Sequence, residues 1–327
     1  MKILGVIDGS RINGIKFHRI IYPLSAMSEY FEDVNVHVSR STFDLTEKEL
    51  EPYSIILLHS TFATKEEIKR LLKFGKNVVI DYDDYWILST KHEMYDEWVK
   101  IREPRRRIEM MTYDVHITVT TEALKRKVQQ FALNKDVCVL PNGMIDDEEY
   151  RKPVKKDFVN FGWIGATNHI TDLMMIRHLK NGYGYNVSIP EPYRKNVFKS
   201  RFNYYDIKLV PDYLNMYNAF DVILIPLDDN EFNKYKSELK LVEAGFFKKP
   251  VIVSGVQPYL PYLKDGVNCL VAKKHRHWAK YCKMLSEDAE LRERLGNQLH
   301  KDMKEHFDLE KITTDRYNYF KEIIENV

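Results

Sequence analysis

The sequence predicts an α/β protein built from two doubly wound, parallel-sheet domains that face each other. Three observations predict it. Short apolar runs alternate with amphipathic helical stretches along the whole chain, and near-continuous apolar strands separated by helices belong to parallel sheets covered on both faces. A charged, aperiodic segment near residue 150 divides the alternation into two series. The chain, at 327 residues, is long enough for two domains of ordinary size.

The first series of strands reads KILGVID, YSIILLH, NVVIDY, VHITVT and VCVL. One helix between them carries clear boundary signals. Thr64 is placed to cap it, Glu67 stands three residues on as in a capping box, and Gly75 closes it before the strand at Asn77. The stretch DDEEYRKPVKKD, from Asp146, is charged, lacks periodicity and contains Pro153, so it reads as a linker. The second series reads FVNFGWIG, YNVSI, IKLV, DVILIPL, PVIVSG and NCLVA, and the chain is helical from about Arg276 to its end. The expected division is residues 1–150, residues 151–305 and a terminal helix over 306–327. Ligands of doubly wound sheets bind beyond the carboxyl ends of the strands, so two facing sheets would share one cleft.

Composition excludes some classes. The chain is 44% hydrophobic and 30% charged, a soluble globular profile, and its net charge of +2 points to no particular partner. One local cluster, Lys100, Arg102, Arg105, Arg106 and Arg107 against Glu103, reads either as a solvated helix face or as a basic patch near a polyanionic acceptor or membrane surface. Cys138, Cys269 and Cys282 lack metal-type spacing and read as free thiols in a reducing compartment. MKILGVID is interrupted by Asp8 too early for a signal peptide, and no apolar run reaches bilayer length. A cytoplasmic protein is expected, with peripheral membrane contact possible.

Four segments fall at strand ends. In DGSRINGIKFHRIIYPL, Gly9 and Gly14 allow close backbone approach to a phosphate, or simply a turn, and Arg19 follows on the next helix. IDYDDYW places Asp81, Asp83, Asp84 and Trp86 where acids and an indole suit sugar hydroxyls and a sugar ring; Asp83 or Asp84 could instead cap a helix. The DxD-like run also resembles a metal site, but no further ligands cluster nearby in the sequence, and a cation needs several oxygens, so no metal is expected. In GWIGATNH, Gly165 ends a strand and His169 precedes a helix beginning near Thr171, where it could donate to a phosphate or sugar oxygen or serve as a loop residue. The fourth segment is NKYKSELKLVEAGFF. Lys236, Lys240 and Glu243 share one helix face, expected to look outward from the core, with Ser237 in the first turn. The lysines can neutralise a diphosphate, Ser237 and free N–H groups can hydrogen-bond it, and Glu243 can accept from two ribose hydroxyls or pair with Lys240.

Together VLPNGMID (Val139 to Asp146), the GWIG loop and KSELKLVEAGFFKKPVIVSG (Lys236 to Gly255) resemble the family 4 type of GT-B glycosyltransferase. The resemblance covers most of the chain and is strongest from Leu224 to Ala272. GIKFHRIIYPL and DYDDYW resemble a compact subgroup of bacterial and phage-encoded members. The resemblance implies a GT-B fold in which the second domain binds a nucleotide-diphosphate sugar, the first binds the acceptor, and the last helix crosses back to the first. It implies metal-independent transfer without a cofactor and with retention of configuration, and donor diphosphate and ribose contacts from Lys236, Lys240 and Glu243; the residues' own positions add Ser237, Gly14, Arg19 and Gly165 as candidate diphosphate contacts. His169 or Arg19 would replace a strand-end arginine used by other members. His169 and Asp84 are the candidate catalytic residues, and Asp83, Asp84 and Trp86 the candidate acceptor contacts. One departure stands out: Tyr235 occupies the position of a second family glutamate. The expected acceptor is a glycan or lipid-linked saccharide. Hydroxymethylated bases in DNA are the alternative acceptor, and a non-catalytic sugar-nucleotide-binding subunit is a third reading.

Overall fold

Both series fold into six-stranded parallel sheets in the computed structural model, which describes residues 1–9, 11–133, 135–152, 154, 157–165, 169–182, 184–194 and 202–326. The first sheet contains β1 (Lys2–Val6), β2 (Asn35–Ser39), β3 (Ile55–His59), β4 (Asn77–Tyr82), β5 (His116–Val119) and β6 (Val137–Val139), in the order β2-β1-β3-β4-β5-β6. The second contains β7 (Val159–Gly162), β8 (Tyr185–Pro190), β9 (Asn203–Tyr205), β10 (Val222–Ile225), β11 (Val251–Ser254) and β12 (Leu270–Ala272), in the order β12-β11-β10-β7-β8-β9. Strand order reverses between β1 and β3 in one sheet and between β7 and β10 in the other. These switch points are where such sheets leave a crevice.

Two strand expectations need correction. β2 escaped the sequence reading because NVHVS alternates and lies on an edge, with Asn35, His37 and Val38 exposed. IKLV is not a strand: the edge strand is the polar-aromatic β9, and Ile207 and Leu209 are left exposed without a covering layer. Apolar content predicts a strand only where another layer is available to bury it. Pro153, Lys155 and Lys156 of the expected linker lie outside the described residues.

The Lys65–Lys73 helix begins and ends as its signals require. Thr64 accepts from the Glu67 amide at 3.1 Å, and Gly75 adopts φ +64°, the left-handed conformation that favours glycine after a helix. Glu67 does not complete the box; its carboxylate accepts instead from the Thr42 hydroxyl. A reciprocal box forms at Thr46 and Glu49.

The Ala289–Phe307 helix packs on the second domain, and Gly296 makes the approach possible, since a Cβ there would stand 2.3 Å from the Lys248 carbonyl oxygen. The Leu309–Glu325 helix returns to the first sheet. Its Tyr319, Phe320 and Ile323 share a core with Ile3, Ile20, Leu24 and Leu140. Hydrogen bonds from the Met144 amide to Phe307 and from the Leu309 amide to Met144, each 2.9 Å, tie the crossover to the interdomain segment. Cys269 and Cys282 are buried, Cys138 is half-buried, and all three are free thiols. Among the described residues no helix is long and apolar enough to cross a membrane.

Candidate active site

The second domain builds its side of the cleft at the β7/β10 switch point. After β7 the chain runs through Trp163 and Gly165; Ala166, Thr167 and Asn168 of the GWIGATNH loop lie outside the described residues. His169 then precedes the Ile170–Leu173 helix, and its Nδ1 lies 2.7 Å from Asp172 Oδ2. The other Asp172 oxygen accepts from the Asp228 amide at 2.8 Å and from Asn233 Nδ2 at 3.1 Å, so one carboxylate ties the loop after β10 to the loop after β7. Burial, reinforced by the Lys240 charge, pushes the His169 pKa down to about 3. The ring is neutral at pH 7, its Nδ1–H donates to Asp172, and Nε2 is an acceptor. The sequence reading has His169 donating to a phosphate or sugar oxygen; with Nδ1–H committed to Asp172, the nitrogen left over, Nε2, offers a lone pair instead. Asp172 itself went unnoticed in the sequence; its spacing of three from His169 was the available signal.

The opening of the next helix also differs from expectation. A 3-10 turn covers Asn233–Tyr235, Lys236 is extended, and the helix proper is Leu239–Phe246, with the Leu241 and Val242 amides donating to Glu238 O at 2.8 and 3.2 Å. Ser237 thus lies ahead of the first turn rather than in it. The polar stripe does not look out to solvent. Lys236 and Lys240 are half-buried and Glu243 is buried, because the stripe turns toward the cleft.

Lys240 Nζ lies over the Trp163 ring, 5.7 Å from its centroid. A Cβ at Gly165 would stand 2.5 Å from Trp163 and 3.2 Å from Lys240 Cε, so this corner needs glycine for packing. Burial, and secondarily the Lys236 charge, lowers the Lys240 pKa to about 8. Glu243 makes no ion pair with Lys240. One of its oxygens accepts from Tyr213 and the other from Tyr217 at 2.6 Å, and burial raises its pKa to about 7 against those hydrogen bonds. His18 of the first domain reaches the same group, with Nε2 2.6 Å from Tyr213 Oη. His18, Tyr213 and Tyr217 were missed in the sequence. The two tyrosines stand four apart, but they precede β10, where no motif marked them.

The first domain contributes the ends of β1, β3 and β4. Arg19 is buried and committed: Nε and Nη2 donate to the two Asp81 oxygens at 2.8 and 2.7 Å, and Nη1 donates to Asn142 Oδ1 at 3.0 Å. Thr118 adds a hydrogen bond to Asp81 at 2.6 Å. The diphosphate assignment of Arg19 is corrected on this ground, since its donors hold strands and the interdomain segment together. Gly14 is exposed and opens a helix capped by Asn13, with open space where a Cβ would be, so packing does not require it.

Asp83 lies 3.1 Å from His59 Nε2, and His59 Nδ1 accepts from the Thr61 amide, leaving the proton on the nitrogen that faces Asp83. Burial would raise Asp83, but His59, Arg107 and Arg19 outweigh it and hold the carboxyl well below its usual range. Asp84 reaches across the cleft to Lys236, 3.5 Å away. Burial raises its pKa, with the Asp83 charge acting in the same direction and Lys236 opposing. Neither residue caps a helix, the next one beginning at Tyr95 after Met94. Trp86 is fully buried against Tyr82, Tyr85 and Phe131, so its expected stacking on an acceptor sugar is corrected to a core role. Among the described residues no group of three or more His, Cys, Asp or Glu is placed to hold a metal ion.

A small recess joins the two walls, lined by Ser89 and His92 from the first domain and by His169, Asp172, Asn233 and Lys236 from the second. The basic cluster stands apart and is smaller than its sequence suggests. Arg106 and Arg107 both turn onto Glu103, Arg107 is buried, and Arg106 also donates to the Ser60 carbonyl. Lys100, Arg102 and Arg105 are left exposed.

No protein-family model matches the chain, and no curated protein sequence does. Solved structures do. The Anabaena protein HepE in complex with UDP-glucose superposes with a TM-score of 0.68 at 12% identity, over 100% of both chains. Sucrose-phosphate synthase from Thermosynechococcus elongatus gives 0.73 at 10% identity, over 100% of both. A glycosyltransferase from Rickettsia africae gives 0.65 at 11%, over 100% of this chain and 99% of the other. The fold is GT-B. At these identities the likeness establishes the architecture alone.

Proposed function

We propose that the protein is a glycosyltransferase that moves a sugar from a nucleotide-diphosphate sugar to a hydroxyl acceptor, with retention of configuration. The observation that carries this reading is the pair Lys236 and Lys240 at the start of the Leu239–Phe246 helix, beside the β7/β10 switch point. Each cation is half-buried, and burial with mutual repulsion depresses Lys240. A diphosphate laid on the pair relieves both costs, and Ser237 and the free N–H groups ahead of Leu241 supply directional bonds. In the reaction these donors stabilise the charge that develops on the departing diphosphate. Neighbours in complex with UDP-glucose and with UDP share the architecture and support the donor class.

The remaining roles belong to the same proposal. Glu243 takes the ribose hydroxyls by exchanging its tyrosine bonds. His169 Nε2 accepts from a sugar hydroxyl. Asp84, opposite Lys236 and raised by burial, takes the role of proton acceptor, and Asp83 binds the acceptor beside it. A glycan or lipid-linked saccharide is the acceptor this reading favours, since the exposed basic cluster is too reduced to track a DNA backbone.

Calorimetry with UDP-, GDP- and ADP-linked sugars tests the donor. Wild type should bind one of them, and Lys240→Ala should lose about tenfold to 100-fold in affinity, as for a hydrogen bond to a charged group. Unchanged affinity in Lys240→Ala removes the assignment. Donor binding by wild type with neither hydrolysis nor transfer would make the protein a non-catalytic binding subunit.

A further inference from the structure

One strongly charged surface has no part in the reading above. The His275–Glu287 helix follows β12, and the stretch from Gly266 to Ser286 contains Lys273, Lys274, Arg276, Lys280 and Lys283 but no acid. The Ile170–Leu173 helix continues through a 3-10 turn, Met174–Ile176, into Arg177, His178 and Lys180, with no acid after Asp172. The two segments meet. His275 Nδ1 lies 3.0 Å from the Met175 carbonyl oxygen, and the His178 and His275 rings meet edge to face with centroids 5.6 Å apart. Arg177, His178, Lys273, Lys274, His275 and Arg276 are all exposed. Among the described residues Arg177, Lys273, Lys274 and Arg276 form no ion pair.

Folding does not account for this charge. Lys273, Lys274 and Arg276 surround a helix start that has no side-chain cap and no acid in its first turn. That end of a helix carries the positive pole of the dipole, which disfavours cations. An ordinary solvated face mixes the two signs, with acids four residues from lysines. Like charges gathered on one surface repel each other until an anion lies among them.

Position and composition favour one kind of anion. Met175 stands three residues after Asp172, so the patch begins about one helical turn from the recess that Asp172 and His169 line. Neither segment exposes a large apolar side chain, the usual anchor in a lipid surface. The helix's aromatics, Trp278 and Tyr281, pack into or against the core and offer no platform for a nucleic-acid base. What is left is charge beside a cleft that opens between two domains. We propose that this surface holds a linear acidic glycan, bearing carboxylates or phosphates, whose end enters the recess as the acceptor. The inference rests on the glycosyltransferase reading and adds to it the charge class of the acceptor.

The experiment is calorimetry with an oligogalacturonate as the acidic probe and a maltooligosaccharide of equal length as the neutral one. Phosphatidylglycerol vesicles and duplex DNA serve as the competing polyanions. Wild type should bind the oligogalacturonate and not the neutral chain, and the affinity should fall about tenfold or more between about 50 and about 200 mM salt as counterions are released. A variant combining Lys273→Glu, Lys274→Glu and Arg276→Glu should lose about tenfold or more in affinity for the acidic glycan. Its melting temperature should match wild type, because these side chains are exposed, and its affinity for the donor should stay within about threefold. Reversing Lys100, Arg102 and Arg105 of the first domain to Glu should leave glycan affinity unchanged. Failure of wild type to bind the acidic glycan, equal binding of the neutral one, or equal losses in the two reversed variants overturns the proposal. Vesicles or DNA bound more tightly than the glycan, and lost in the Lys273, Lys274 and Arg276 variant, overturn it in favour of those partners. If the acidic glycan binds as described but wild type binds no sugar nucleotide, the donor reading fails while the surface stands, and that outcome is distinct from the others.

Discussion

Glu243 allows a stability prediction that needs no ligand. Burial raises its pKa from 4.5 to about 7, so the folded state holds the proton more tightly than the unfolded chain. For a carboxyl raised in this way, stability is greatest below pH 4.5, falls as pH rises through the interval from 4.5 to about 7, and levels off above it. The full interval corresponds to roughly 3 kcal/mol. Glu243→Gln is neutral throughout. Its carbonyl oxygen can still accept from Tyr217, and its amide can donate to Tyr213, whose hydroxyl then turns toward His18. Urea unfolding of the unliganded proteins should give nearly equal stabilities at pH 5 and a Gln variant more stable by about 2–3 kcal/mol at pH 8. The same variant should bind the donor more weakly, because it no longer offers a charged acceptor to the ribose. A Gln variant less stable than wild type at pH 8, or a stability difference independent of pH, would refute the account of Glu243 as a strained buried acid.

Arg19→Ala strips buried Asp81 of its guanidinium partner, leaving it the Thr118 hydroxyl and the nearby His59 ring, and should cost about 3–5 kcal/mol in urea unfolding, with donor affinity of the folded fraction unchanged. Trp86→Ala should likewise destabilise by about 3–5 kcal/mol and leave the Michaelis constant for the acceptor alone, which separates a core tryptophan from a stacking one. Asp84→Asn should reduce transfer while donor affinity holds or rises, since Lys236 is released from its partner across the cleft. A chelator should leave activity unchanged, because Asp81, Asp83 and Asp84 already answer Arg19, His59 and Lys236; loss with EDTA and recovery with manganese would reassign them.

The sequence by itself determined the architecture. Interior strands such as β3 and β10 are buried along their whole length, and covered parallel strands must be continuously apolar, so they could be recognised without knowing their neighbours. The cap at Thr64 and the turn at Gly75 were legible because their physics is local. The lysine-bearing helix was legible for the same reason. Two of the four edge strands were not: β2 and β9 carry little apolar signal, whereas the edge strands β6 and β12 were recognised by their apolar runs. What only the tertiary structure decided is how each polar group is spent. Arg19 and Asp81 are 62 positions apart and Lys236 and Asp84 further still, and pairing over such distances leaves no periodicity to read. Trp86 at a strand end resembled a sugar-stacking residue until packing placed it in the core. Burial and partnership are properties of the assembled cleft, because both depend on groups that the chain brings together only when its two sheets face each other.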